Sequence, residues 1–272
     1  MKRLMRSAAF GAAGLMALAA TLWGAPPNSD GPLPVLPAPA QASPAAPPNP
    51  PRTLTLEERA DILMARKSYD DAADYYYRAL RESSFKNPAL WNKLGIAFQQ
   101  VDKFHDARKA YTRATHLDRN FAAAWNNIGT VYYMEKRYSK SLSFYLRAVK
   151  LRADVAAFHI NLGSTYYHLK KFPKAVEEYR AALTIDPKAV SADSSVGTVV
   201  HAGGTDAEYY FYMAKALASV GNAETAVRYL RRALEDGFTD RQRIDQDPDF
   251  KKISQYPAFV KLMQNPPIAI KN

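Results

Sequence analysis

Apolar and small residues recur at intervals of three and four along most of the chain after Thr53, as in Trp91, Leu94, Gly95 and Phe98, or in Ala107, Tyr111 and Ala114. That spacing puts them on one stripe of a helix and predicts a chain of amphipathic helices. The same pattern returns over a longer distance. A shift of 34 residues superimposes Trp91 on Trp125, Leu94 on Ile128 and Leu162, and Gly95 on Gly129 and Gly163. Phe98, Tyr132 and Tyr166 then align, as do Ala107, Ser141 and Ala175, Tyr111, Tyr145 and Tyr179, and Ala114, Ala148 and Ala182. Each unit therefore reads as two antiparallel helices, the first built around the glycine and the second around the alanines.

This is the W-x2-L-G-x2-Y, A-x3-F, A, P spacing, with Pro187 in the closing position, and the chain resembles the tetratricopeptide-repeat (TPR) family. The resemblance implies an all-α fold, a right-handed α-solenoid of helix-turn-helix repeats. Small residues let the two helices of a unit approach, and large ones such as Leu94, Phe98 and Tyr111 fill the space between units, so each unit covers its neighbour's apolar face. The units fall at about 54–87, 88–121, 122–155 and 156–189. A fifth, about 207–240, lies 17 residues out of phase, which makes 190–206 an insertion. Thr55 and Glu58 form a capping box at the first helix, and one extra residue precedes Trp91. Pro248 and Pro257 open two short helices in 247–265 that are expected to cap the stack. The whole repeat domain spans 53–265.

The N-terminus has a different pattern. Lys2, Arg3 and Arg6 precede an uncharged stretch from Ala8 to Ala25, so residues 1–25 are expected to be a signal peptide or an N-terminal membrane anchor. Residues 26–52 form a Pro/Ala-rich linker, with 11 prolines between Pro26 and Pro51, a composition that favours extended polyproline II. The expected location is outside the cytoplasmic membrane, in the periplasm or cell envelope, tied to the inner membrane if the apolar segment is retained.

Charge and chemistry narrow the function. The formal charge is +11, of which the first 52 residues supply +3, so the excess lies in the repeats and favours an acidic partner. No helix-turn-helix, RNA-recognition or zinc-finger pattern supports nucleic acid as the partner. There is no cysteine to ligate zinc, act as a nucleophile or form a disulfide. His105, His116, His159, His168 and His201 are scattered, and His159 stands where the preceding units have tryptophan, as a packed aromatic substitute. Gly197, Gly203 and Gly204 lack the lysine and spacing of a phosphate loop. No enzyme, cofactor or metal site is expected.

What the TPR resemblance implies is a concave groove lined by the first helix of each unit. Residues not used for packing are expected to face it: Lys93 and Ile96 in the second unit, Asn127, Thr130 and Tyr133 in the third, Asn161, Ser164 and Tyr167 in the fourth. The asparagines and tyrosines are expected to face solvent in the free protein, so that their loss spares the fold. Asn127 and Asn161 occupy a position at which some TPR proteins carry a ladder of asparagines that hold a peptide backbone. An amide suits that role because it offers a donor and an acceptor together. Positioning adjacent helices is the other role open to them. The expected function is thus a non-catalytic scaffold or adaptor for a protein or peptide, the alternative being a structural accessory subunit of a cell-envelope polysaccharide or secretion assembly.

Overall fold

The computed structural model describes residues 53–190 and 206–269. The expected export signal, the Pro/Ala-rich linker, His201 and all of the insertion except Val190 and Asp206 lie outside the described residues.

Among the described residues there are thirteen helices and no strand. Ten of them form five antiparallel pairs. They are α1 (Leu56–Ala65) with α2 (Tyr69–Glu82), α3 (Pro88–Gln100) with α4 (Phe104–Leu117), α5 (Ala122–Met134) with α6 (Tyr138–Leu151), α7 (Ala156–His168) with α8 (Phe172–Ile185), and α9 (Ala207–Ser219) with α10 (Ala223–Glu235). Each second helix packs on the first helix of the next pair, and α3 touches α5 as α5 touches α7. The architecture is an all-α solenoid in which most contacts are made within a pair or with the next one.

Local sequence sets the helix ends. Thr55 and Glu58 cap α1 reciprocally, each side chain bonded to the other's backbone N–H. Asn87 accepts from the N–H groups of Ala89 and Leu90 in front of Pro88, while Asp206 takes the Glu208 N–H at 3.0 Å to start α9. The turn inside each pair needs one left-handed residue. Lys67, Asp102, Lys136 and Lys170 adopt it at φ 58–62°, and only the fifth pair uses glycine, Gly221.

Why glycine recurs in the first helices is visible at atomic scale. A Cβ on Gly95 would sit 2.5 Å from the Tyr111 ring, one on Gly129 2.8 Å from Tyr145, and one on Gly163 2.6 Å from Tyr179. The tyrosine ring of the second helix fills the space a side chain would take, and all three tyrosines are fully buried. In the fifth pair the equivalent positions hold Ala214 and Leu230, both buried. The first pair has Ala60 and Tyr76, whose hydroxyl goes to Asp61 at 2.5 Å.

A second device ties the second, third and fourth pairs each to the one before it. The indole N–H of Trp91 donates to the Phe85 carbonyl and that of Trp125 to the Arg119 carbonyl, each at 3.0 Å and each six residues back. His159 keeps the bond with Nε2, 3.0 Å from the Ala153 carbonyl. It packs as the aromatic substitute its register suggests.

Three short helices close the stack: α11 (Arg241–Gln246), α12 (Pro248–Lys251) and α13 (Pro257–Gln264). The sequence predicts α12 and α13 from their prolines. It gives no such signal for α11, which Asp240 starts by accepting from the Arg243 N–H. Phe250 and Leu262 are buried against the last pair, Phe250 with its ring 5.7 Å from Phe211.

Candidate functional site

The residues expected to line a groove lie on α3, α5 and α7, whose faces are brought side by side by the stacking. Thr130 and Ser164 are not on its surface. They are 8% and 2% exposed, and they accept the hydroxyls of Tyr145 (3.0 Å) and Tyr179 (3.4 Å), fifteen residues ahead in each case. They serve the core tyrosines. Ile96 replaces them in the second unit, so Tyr111 turns to Gln99 instead at 2.9 Å. Ile96 itself is half-buried against the cluster that contains Tyr111 and Ile128.

The expectation that Tyr133, Tyr167 and Asn161 face solvent is overturned, because all three are buried. Tyr133 packs edge-on against Tyr138 and His168, each 5.3 Å away. Tyr167 donates its hydroxyl to Asp206 at 2.6 Å, at the start of α9. Burial raises the pKa of both phenols, and Asp206 adds to the effect at Tyr167, so both stay protonated. The reason is geometric. First helices that touch leave less than a full helical stripe uncovered, and α7 is buried on every side along most of its length.

Asn127 is half-exposed, and it belongs to a row longer than the pair with Asn161 that helical spacing suggests. Asn161 donates to Asn126 at 3.0 Å, Asn126 to Asn127 at 3.2 Å, and Asn127 to Asn92 at 2.9 Å. Four side-chain amides from three successive first helices are thus joined donor to acceptor in one direction. Asn92 and Asn126 were legible, since they too lie 34 residues apart, next to the aligned tryptophans. The row ends at Asn161 Oδ1, a buried acceptor with no protein partner. Positioning of adjacent helices, one of the two roles open to the asparagines, is therefore realised.

Lys93 takes the position of Asn127 and Asn161 in the second unit, and its charge is already matched. Its ammonium lies 2.9 Å from Glu57 and 2.7 Å from Asp61 on α1. Burial opposes the charge, but the hydrogen bonds from the two carboxylates outweigh it and hold the lysine pKa above its ordinary value. Asp61 is held below its usual range, burial again being outweighed, here by Lys93 and Tyr76. The first-helix face thus carries an ion cluster of one lysine and two carboxylates at one end, the amide row in the middle and buried tyrosines at the other.

Among the described residues no group of three or more His, Asp or Glu side chains is placed to hold a metal ion, and no helix is long and apolar enough to cross a membrane.

Two tetratricopeptide-repeat models match the sequence, one over residues 56–87 and 92–155 and the other over 156–189, in register with the first four helix pairs. The chain belongs to the tetratricopeptide-repeat family. Solved TPR proteins are similar to it at low identity. A MamA fragment from Desulfovibrio magneticus RS-1 is 18% identical with a TM-score of 0.48, over 66% of this chain and 92% of that one. YrrB, described as a TPR protein with an unusual peptide-binding site, is 16% identical with a TM-score of 0.45, over 71% and 90%. The first TPR of Spaghetti (RPAP3), bound to the HSP90 peptide SRMEEVD, is 21% identical with a TM-score of 0.40, over 42% and 90%. No curated protein matches the sequence.

Proposed function

We propose that this TPR protein is an exported, non-catalytic scaffold that holds a protein or peptide partner against its first-helix face, around Lys93, Ile96 and Asn127. The observation that carries the reading is the state of the Asn127 amide. Its neighbours Asn92 and Asn126 fix its orientation while one N–H and one lone pair stay free, on a side chain that solvent reaches. A fixed amide matches the donor and acceptor of an extended peptide without choosing among side chains, and its ordering cost is met before binding.

The remaining residues of the face fit recognition better than turnover. Its buried phenols are held protonated and its lysine is paired, so none is an activated nucleophile or base. The basic N-terminal head followed by an apolar run supports export.

A photo-crosslinking amino acid placed at Ile96 or Asn127 of the intact protein in its own cells tests this, with exposed Leu146 on α6 as the comparison. The same partner captured from Ile96 and Asn127 and not from Leu146 is the expected result. Capture from Leu146 alone would reject the first-helix face and favour the accessory-subunit alternative.

A further inference from the structure

The second helix of the second unit borders a groove that the candidate site does not use. A cavity of about 760 Å³ runs beside α4, floored by Trp91, Phe98, Tyr132 and Phe144. A smaller one of about 390 Å³ adjoins it, sharing Trp91 and Arg113 and reaching Phe85 and Leu117. The larger volume is in the range of sites that bury a ligand, about 300–1,000 Å³.

The floor is aromatic and the rim is cationic. Lys109 and Arg113 are four residues apart on α4, so they stand on one face about 6 Å apart along the axis, both exposed. No carboxylate among the described residues pairs with either. Arg108 is matched by Glu135, and the carboxylate among the lining residues, Asp106, sits 3.5 Å from His105 and pairs with neither cation. Two uncompensated cations over an apolar floor are complementary to a segment that carries acid and an apolar side chain together.

The extra residue before Trp91 has a place in this groove. It lengthens the turn between α2 and α3, where Ser84 and Phe85 are both left-handed, at φ 51° and 60°. A phenylalanine rarely holds that conformation. Here the indole bond from Trp91 pins the Phe85 carbonyl, and the ring, 39% exposed, lies between Tyr77 (5.7 Å) and Trp91 (6.0 Å) at the end of the groove.

We propose that this groove is a second docking site, for an acidic segment of a partner protein with two carboxylates about 6 Å apart beside an apolar anchor. The carboxylates meet Lys109 and Arg113, and the anchor lies on Trp91 and Phe98. Nucleic acid fits less well, because base stacking needs free ring faces. Tyr132 is already stacked on Phe144 at 5.3 Å, with the guanidinium of Arg108 5.2 Å from its centroid.

The experiment uses the full chain and three fluorescein-labelled dodecapeptides, alternating Glu and Leu, Gln and Leu, or Lys and Leu. The acidic peptide is expected to bind, to weaken as salt rises, and to lose at least tenfold in affinity with Lys109→Glu/Arg113→Glu. Both positions are exposed, so the fold is kept, and Lys150→Glu on α6 should leave affinity unchanged. The proposal is overturned by failure of the acidic peptide to bind at millimolar concentration, equal binding of the glutamine peptide, or indifference to the Lys109/Arg113 change. Equal displacement by oligothymidylate would assign the groove to polyanions. Self-association lost with the same variant would assign it to a second copy of the chain.

Discussion

His159 on α7 and Glu178 on α8 meet at 2.7 Å, ring nitrogen to carboxylate, while the other ring nitrogen of His159 faces the Ala153 carbonyl at 3.0 Å. Acceptors on both sides favour the doubly protonated ring. The Glu178 bond raises the His159 pKa above 6.5, burial opposes it, and the Ala153 carbonyl adds to the rise. The consequence for stability has a definite sign. A pKa raised on folding gives stability that is fully present below the unfolded value and is lost as pH rises through the folded one. A charge-assisted bond this enclosed is worth about 1 kcal/mol or somewhat more, equivalent to about 2–4 °C in a domain of this size. The melting temperature of the wild type is expected to fall from below pH 6.5 toward pH 8.5 relative to His159→Trp. That variant keeps the bond to the Ala153 carbonyl, as Trp91 and Trp125 do in their units, but has no proton to lose. Parallel melting profiles for the two would refute the assignment.

The contact between Gly163 and Tyr179 predicts a coupled pair. A methyl at Gly163 would lie 2.6 Å from the Tyr179 ring, and overpacking of this kind costs about 1–3 kcal/mol, partly offset by the better helix propensity of alanine. The fifth unit solves the same problem with Ala214 and Leu230. Gly163→Ala/Tyr179→Leu is therefore expected to be more stable than the sum of its single changes predicts, by at least about 0.5 kcal/mol in urea unfolding. Additive effects would show that the ring does not set the glycine. Gly129→Leu, against Tyr145 at 2.8 Å, should be worse than Gly129→Ala.

These two cases mark what was legible in the sequence. The 34-residue period, the glycines, the tyrosines and the aromatic position of His159 carry fold information because each recurs in a fixed chemical setting. The site was less legible. Thr130 and Ser164 look like surface residues by helical spacing, yet each bonds a tyrosine fifteen residues ahead, a relation that requires knowing how far the second helix folds back over the first. Tyr167 is covered through Asp206, beyond an insertion whose path no periodicity describes. Asn92 and Asn126 share the 34-residue register, but helical spacing turns adjacent residues to different faces, so nothing in the spacing joins Asn126 to Asn127 in one row.

Export rests on the N-terminal pattern and is tested there. Leu15→Arg/Leu18→Arg breaks the uncharged run behind Lys2, Arg3 and Arg6, and arginine near the centre of such a segment costs about 2.5–3.5 kcal/mol per residue on insertion scales. The altered protein is expected in the cytosolic fraction, with the wild type outside the cytoplasmic membrane. Recovery of the wild type in the cytosol with Met1 intact would remove export from the proposal.

The amide row separates structure from binding, and its members should behave unequally. Asn126→Ala removes the acceptor for Asn161 and the donor for Asn127, leaving a buried amide N–H of Asn161 without its partner. An unsatisfied buried group costs about 1–3 kcal/mol, so Asn126→Ala is expected to lower stability by that order, and Asn161→Ala by less, because it also removes the unpartnered Asn161 Oδ1. Asn127→Ala takes the partner from Asn92 Oδ1 and Asn126 Nδ2, but the space it vacates is one that solvent reaches, so water can satisfy both and the cost should stay below about 1 kcal/mol. Binding should reverse the order of importance. Loss of the one accessible amide weakens contact with a peptide backbone directly, by about 1–3 kcal/mol or roughly 5- to 150-fold in affinity. Once a crosslinked partner is in hand, calorimetry on Asn127→Ala and denaturation of all three variants read the two effects apart. A protein that loses stability but not affinity with Asn127→Ala would leave the row a purely structural brace between first helices.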